Sequence, residues 1–234
     1  MSLTVVVWTP TGLVMAADSR TTITYTKEEK FGKVSNQDVL SDSTYKLVLL
    51  EKCRVGISTY GVSHPGGLPV DAHLRIFEEE QVTAEDRVPE VAEKLLNYFQ
   101  AKFPGMNLWF FLIGYHEEDK VNVPYVYNVS VEKKTISRVN VQPNGERWPG
   151  GVSRGGATEI VNRLIVADRL PEFSLLPLQD AVDYAIFLIE VTSKVMRFEP
   201  GLETVGGPID VLVITPKDAY FVQRKELHGG TGSR

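Results

Sequence analysis

The sequence predicts an α+β protein whose antiparallel sheets stack face to face with helices outside. Two observations predict it. Strand-like segments come in runs separated by pairs of helices, an order that differs from the strict alternation of a parallel βαβ array. The chain also opens with two apolar, β-branched segments, Thr4–Trp8 and Leu13–Ala17, around Pro10-Thr11-Gly12, and Pro and Gly at so short a break read as a hairpin turn.

The other elements follow in order. Thr21–Tyr25, Tyr45–Leu50 and Arg54–Ser58 are short, β-branched and turn-bounded, as strands are. Between them, Thr26–Ser43 is polar and too long for a plain connection, so it reads as a functional loop or a hairpin arm. Helices are predicted over Pro69–Glu80 and Ala84–Lys102. In the second, Val88, Val91, Ala92, Leu95 and Phe99 recur at helical spacing, and Pro104-Gly105 stops the run. Strands return at Leu108–Gly114, Tyr125–Val131 and Thr135–Val141, and Gln142–Gly156, rich in Gly and Pro, reads as a loop. Helices Thr158–Arg169 and Pro177–Arg197 precede strands Ile209–Thr215 and Ala219–Gln223. Residues 1–224 are expected to form one domain, and the polar, Gly-rich stretch 225–234 a flexible tail. The strands Thr4–Trp8 and Ile209–Thr215 are expected to be neighbours.

Composition bounds the function. At 234 residues and 43% apolar, the chain can build a sizeable core. A net charge of −5 argues against a nucleic-acid partner, since phosphate binding needs a basic surface. No apolar run approaches the length of a membrane span, and the N-terminus lacks the pattern of a secretory signal. Cys53 is the single cysteine, which excludes an internal disulfide and suits a cytoplasmic location. His64, His73, His116 and His228 show no zinc-ligand spacing, and Gly150–Gly156 lacks the Gly-Lys-Ser/Thr ending of a phosphate-binding loop.

Three stretches carry the chemistry. The first hairpin leads into Val14-Met15-Ala16-Ala17-Asp18-Ser19-Arg20, with Ser2 following the initiator Met. Lys46 opens an apolar strand, and the run through the later strand Arg54–Ser58 ends as Ser58-Thr59-Tyr60-Gly61. Near the end stands Gly206-Gly207-Pro208-Ile209-Asp210. Together these resemble the β-type subunits of proteasomes, threonine-type peptidases of the N-terminal-nucleophile (Ntn) hydrolase superfamily. The resemblance touches both ends and the early middle of the chain, while 78–140 match in pattern only.

The resemblance implies a four-layer αββα sandwich of two antiparallel sheets and a bacterial- or archaeal-style self-assembling subunit, a homo-oligomer. It implies a peptide or amide substrate and no cofactor or metal; a partner ATPase stays open. Ser2, with Met1 removed, would be the nucleophile, Lys46 the cation beside it, and Asp18 the acid that holds the lysine. Arg20 and Gly61 would support them, with a backbone N–H near Gly61 stabilising the oxyanion. The chemistry suits these types: a serine hydroxyl needs a base, and an α-amine of pKa roughly 8 on the same residue can serve.

Each group also has an ordinary reading. Ser2 can be a permissive second residue, Asp18 a turn acid paired with Arg20, and Lys46 a solvated edge lysine. Thr4 competes as nucleophile but needs further trimming. The chain also departs from the family pattern. Where the family has a Ser before the third helix, the stretch here is 153–158, with Ala157 in the gap and Ser153 the available hydroxyl. Before the final Gly-Gly, Val205 replaces a Ser, and Glu199 or Glu203 would replace an acid. Peptide or amide hydrolysis through an acyl-enzyme is therefore the leading function. The rivals are a catalytically silent scaffold subunit and a small-molecule Ntn amidase.

Overall fold

The computed structural model describes residues 2–29, 32–166 and 170–226. One sheet has the strand order β10-β1-β2-β11-β12, from β1 (Leu3–Thr9), β2 (Gly12–Ala17), β10 (Gly151–Gly156), β11 (Asp210–Ile214) and β12 (Ala219–Gln223). A second has the order β5-β6-β7-β8-β9, from β5 (Leu47–Leu50), β6 (Val55–Gly61), β7 (Leu108–Glu118), β8 (Val121–Ser130) and β9 (Thr135–Arg138). All pairings in both are antiparallel. A separate two-stranded ribbon joins β3 (Thr21–Glu29) to β4 (Gly32–Ser41). Four α-helices and a short 3₁₀ helix at Pro65–Gly67 complete the described chain: α1 (Val70–Gln81), α2 (Val88–Lys102), α3 (Glu159–Leu164) and α4 (Leu178–Met196). This is the mixed α+β, antiparallel architecture that the element order predicts.

Three apolar clusters hold it together. Leu74 and Phe77 of α1 and Val91, Leu95 and Phe99 of α2 pack on Ile57, Phe110 and Leu112 of the second sheet. Ala181, Ala185 and Leu188 of α4 pack on Val5, Val14 and Val211 of the first. Val6, Met15 and Leu212 of the first sheet meet Leu47, Phe111 and Val126 of the second. Neighbouring residues of one strand, such as Val5 and Val6, thus point into different clusters. With apolar neighbours on both faces, β1 and β2 are buried along their whole length, and so they read as unbroken apolar runs.

The opening hairpin forms as expected, with Thr9 opposite Gly12 across Pro10-Thr11. Other expectations need correction. The strand at Ile209–Thr215 does not neighbour Thr4–Trp8: β2 lies between them, because its second edge pairs with β11. The stretch 26–43 is mostly the ribbon β3–β4. Helix α2 starts at Val88, since Arg87 is its N-cap, with Glu90 Oε2 accepting from the Arg87 N–H at 2.8 Å. Helix α3 ends at Leu164, short of the expected Arg169, which lies outside the described residues.

The main omission is β10, which the composition of its segment disguises as a loop. Its glycines admit neighbours where a side chain would collide. A Cβ at Gly151 would lie 2.4 Å from the Trp8 ring, and one at Gly155 2.4 Å from the Tyr60 ring. Glycine inside a strand signals such close approach.

Candidate active site

Asp18 leaves the end of β2 fully buried and accepts four hydrogen bonds. Its Oδ1 accepts from the Leu3 N–H at 2.9 Å and from Lys46 Nζ at 2.7 Å. Its Oδ2 accepts from the N–H groups of Gly206 at 3.1 Å and Arg20 at 3.2 Å. The antiparallel register sets this up: Ala17 sits opposite Thr4 on one side and Asp210 on the other, so the next residue reaches the starts of both neighbouring segments.

Lys46 stands just before β5, so its backbone belongs to the second sheet while its ammonium reaches the end of the first. Nζ donates to Asp18 and to the Arg20 carbonyl at 2.5 Å, and the Lys46 carbonyl accepts from the Thr59 N–H at 3.1 Å. Burial pulls the Lys46 ammonium below the usual lysine range, against the Asp18 carboxylate, which pushes it back up. This is not the solvated edge lysine of the ordinary reading.

Ser2 is buried immediately before the Leu3 N–H that Asp18 accepts. Its carbonyl accepts from the Ala157 N–H at 2.8 Å. Gly156, at φ +93°, passes so close that a Cβ there would lie 1.7 Å from the Ser2 carbonyl oxygen. Ser2 and Lys46 line one cavity of about 10 Å³, with Thr44, Tyr45, Thr59 and Gly61 among its other walls. That is room for about one water.

Arg20 supports the carboxylate from behind. Its guanidinium makes a bidentate pair with Asp42, at 2.7 and 2.9 Å, and donates to Glu203 Oε2 at 3.1 Å. It also packs on Gly206, where a Cβ would lie 2.7 Å from Arg20 Cζ. Arg20 and Glu203 therefore hold the segment whose Gly206 N–H reaches Asp18. Asp42 is the partner of Arg20, so Asp18 is not its ion-pair partner as the turn reading expects. Gly61 ends β6 at φ +100°, with the Asn107 carbonyl oxygen 2.3 Å from where a Cβ would be; only glycine fits.

Ser153 is not brought to this site. It sits on β10 opposite Val6, whereas Gly156 is opposite Leu3, which puts Ser153 about 10 Å along the strand. Val205 is buried against α4 in the apolar cluster. The Thr4 hydroxyl is committed between the sheets, donating to Ser58 Oγ at 2.9 Å. Sequence reasoning missed Asp42, Ser58 and Thr59. A polar residue at the end of a strand or ribbon was their only local signal.

No family model matches this sequence, and no curated protein matches it. Among solved structures the chain is similar to a mutant of Anbu from Hyphomicrobium sp. strain MC1, with a TM-score of 0.63. The match spans 94% of this chain and 85% of that one at 16% identity. The fold is proteasome-like. At that identity the likeness shows the fold alone. Among the described residues, no helix is long and apolar enough to cross a membrane.

Proposed function

We propose that this chain is a proteasome-like Ntn hydrolase that cleaves peptide or amide bonds through an acyl-enzyme on Ser2. The observation that carries this reading is the Asp18 carboxylate, whose Oδ1 joins Lys46 Nζ to the Leu3 N–H at the root of Ser2. With Met1 removed, the Ser2 α-amine takes the proton from its own Oγ–H as Oγ bonds to the substrate carbonyl carbon. The Lys46 charge stabilises the forming alkoxide, and a backbone N–H near Gly61 receives the oxyanion. The C–N bond then breaks, the leaving nitrogen takes the proton from the amine, and a water resolves the ester by the reverse sequence.

On this reading the three apolar clusters are the interfaces of a four-layer αββα sandwich formed by residues 1–224. The subunit works in the cytoplasm as a homo-oligomer assembled through its helical layers. Phe187 on α4, 50% exposed, and Phe198 just beyond it, 84% exposed, support that assembly.

A scaffold subunit is the second reading. Ala157 and Val205 stand where hydroxyl residues would orient nucleophile and amine, and the Ser2 cavity holds about one water. Intact-mass measurement after treatment with a β-lactone probe separates the two. Loss of Met1 and one adduct, abolished by Ser2→Ala, is expected; an unmodified chain that retains Met1 leaves the scaffold reading. Turnover of peptides against small amides separates the peptidase from a small-molecule amidase.

A further inference from the structure

A second buried lysine lies behind the first. Lys225 follows β12, where the sequence predicts the start of a flexible tail; residues 227–234 lie outside the described residues. Its side chain is 7% exposed and its Asp210 partner 2%. Nζ pairs with Asp210 Oδ2 and donates to Ser19 Oγ at 2.8 Å, while the Lys225 N–H donates to Asp210 Oδ1 at 2.9 Å. Ser19 Oγ in turn donates to the Pro208 carbonyl at 2.6 Å, and the Ser19 N–H donates to the Gly206 carbonyl at 3.1 Å. Nζ also lies 4.4 Å from the centre of the Tyr45 ring, next in sequence to Lys46 and a wall of the Ser2 cavity.

These contacts converge on the two segments that make the site. Ser19 sits between Asp18 and Arg20, and Gly206 gives its N–H to Asp18. A buried, fully partnered ammonium with a hydroxyl in its shell fixes geometry that a solvated lysine could not.

We propose that Lys225 is a positioning residue for the Asp18–Lys46 pair: it ties the Asp18–Arg20 turn to the segment 206–210 and sets a second positive charge behind Lys46. For catalysis this rests on the reading of Ser2 as nucleophile; for the pair itself it does not. The charged groups that act on Lys46 are Asp18, Lys225 and Asp42. The carboxylates hold its proton on, while burial and the like charge of Lys225 work to remove it.

The test is a pH titration of Lys46 by NMR in the full chain labelled with ¹³C at lysine Cε, its resonance identified by its loss in Lys46→Met. In Lys225→Met the Lys46 midpoint should move to higher pH, because a repelling neighbour is gone. Lys225→Arg, which keeps the charge, should leave the midpoint near that of the wild type. Should Lys225→Met fail to fold for want of a partner for Asp210, Lys225→Gln, which loses the charge but whose amide can still donate to Asp210, carries the same expectation. An unmoved midpoint in a folded variant lacking Lys225 overturns the proposal. In parallel, β-lactone acylation of Lys225→Met should slow, because the Asp18–Arg20 turn is no longer tied to the segment 206–210. A wild-type chain that takes no probe but shows the Lys46 shift upholds the clamp and sinks the Ser2 reading alone.

Discussion

Lys46 and Asp18 form an ion pair at 2.7 Å with side-chain exposures of 3% and 0%, and they join the two sheets. Lys46 belongs to the second and Asp18 to the first. Such a pair is costly to assemble and costlier to break, because removing one partner strands the other charge in the interior.

A change at Lys46 is therefore structural as well as chemical. A lysine expected at a strand end suggests that Lys46→Ala would leave stability untouched; its burial predicts otherwise. Lys46→Ala should lower unfolding stability by about 3–5 kcal/mol and strongly lower probe acylation. The double variant Asp18→Asn/Lys46→Met should recover part of the stability, since the amide oxygen can keep the Gly206 and Arg20 N–H groups while the Leu3 N–H loses its acceptor, and none of the acylation. Urea unfolding followed by circular dichroism measures the first quantity, and intact mass the second. Equal stability of Lys46→Ala and wild type would contradict the buried-pair account.

The Arg20–Asp42 pair makes a different prediction, about acid. The hydrogen bond from the Arg20 guanidinium holds the Asp42 carboxyl below the usual carboxylate range. A depressed carboxyl contributes stability that is fully present above its unfolded value of about 3.9 and fades as pH falls toward the folded value. Wild type should therefore melt above Asp42→Asn near neutral pH, and the gap should close below about pH 4. The Asp42 side chain is 44% exposed, so solvent screening keeps the gap small. Thermal melts of both chains across acid pH measure it; a gap that widens on acidification would reverse the sign.

How much of this was legible in the sequence follows from the range of each interaction. The opening hairpin announces itself within a few residues, through β-branched runs and a Pro-Thr-Gly turn. Asp18 and Lys46 stand out because a charged residue at the end of an apolar run is locally odd. Asp42 lies 22 residues from Arg20, and Lys225 lies 206 from Ser19, so no periodicity links either pair. Strand β10 was hidden for the opposite reason. Its glycines are local and conspicuous, but they answer to Trp8, Tyr60 and the Ser2 carbonyl, which come from far along the chain. Ser153 misled because proximity in sequence to Ala157 is not proximity along the sheet to Ser2.

Cys53 bears on any covalent probe. Burial pushes its thiol up to about 11, with Glu78 and Asp86 adding to the rise. Near neutral pH fewer than about one molecule in a thousand carries the thiolate that reacts. A disulfide-exchange reagent should leave the native chain unmodified and react once on unfolding in denaturant. Rapid stoichiometric modification of the folded protein would contradict this. If Cys53 stays silent, an adduct on the folded chain points to an oxygen or amine nucleophile.

The outer face of α4 carries the last prediction. Ala181, Ala185 and Leu188 face the first sheet, yet Phe187 remains half exposed and stacks on Tyr184 with ring centres 6.4 Å apart. Phe198, two residues past the helix end, is more exposed still. A helix that is apolar beyond its core-facing stripe needs a second surface to cover it. On the homo-oligomer reading, light scattering of the wild type at micromolar concentration should give a mass well above one subunit. Phe187→Glu combined with Phe198→Glu should shift that mass toward the monomer while far-ultraviolet circular dichroism stays unchanged, since neither side chain enters a core cluster. A wild type that scatters as a monomer across that range would defeat assembly through this face. An assembly that survives both changes would move the contact to another surface.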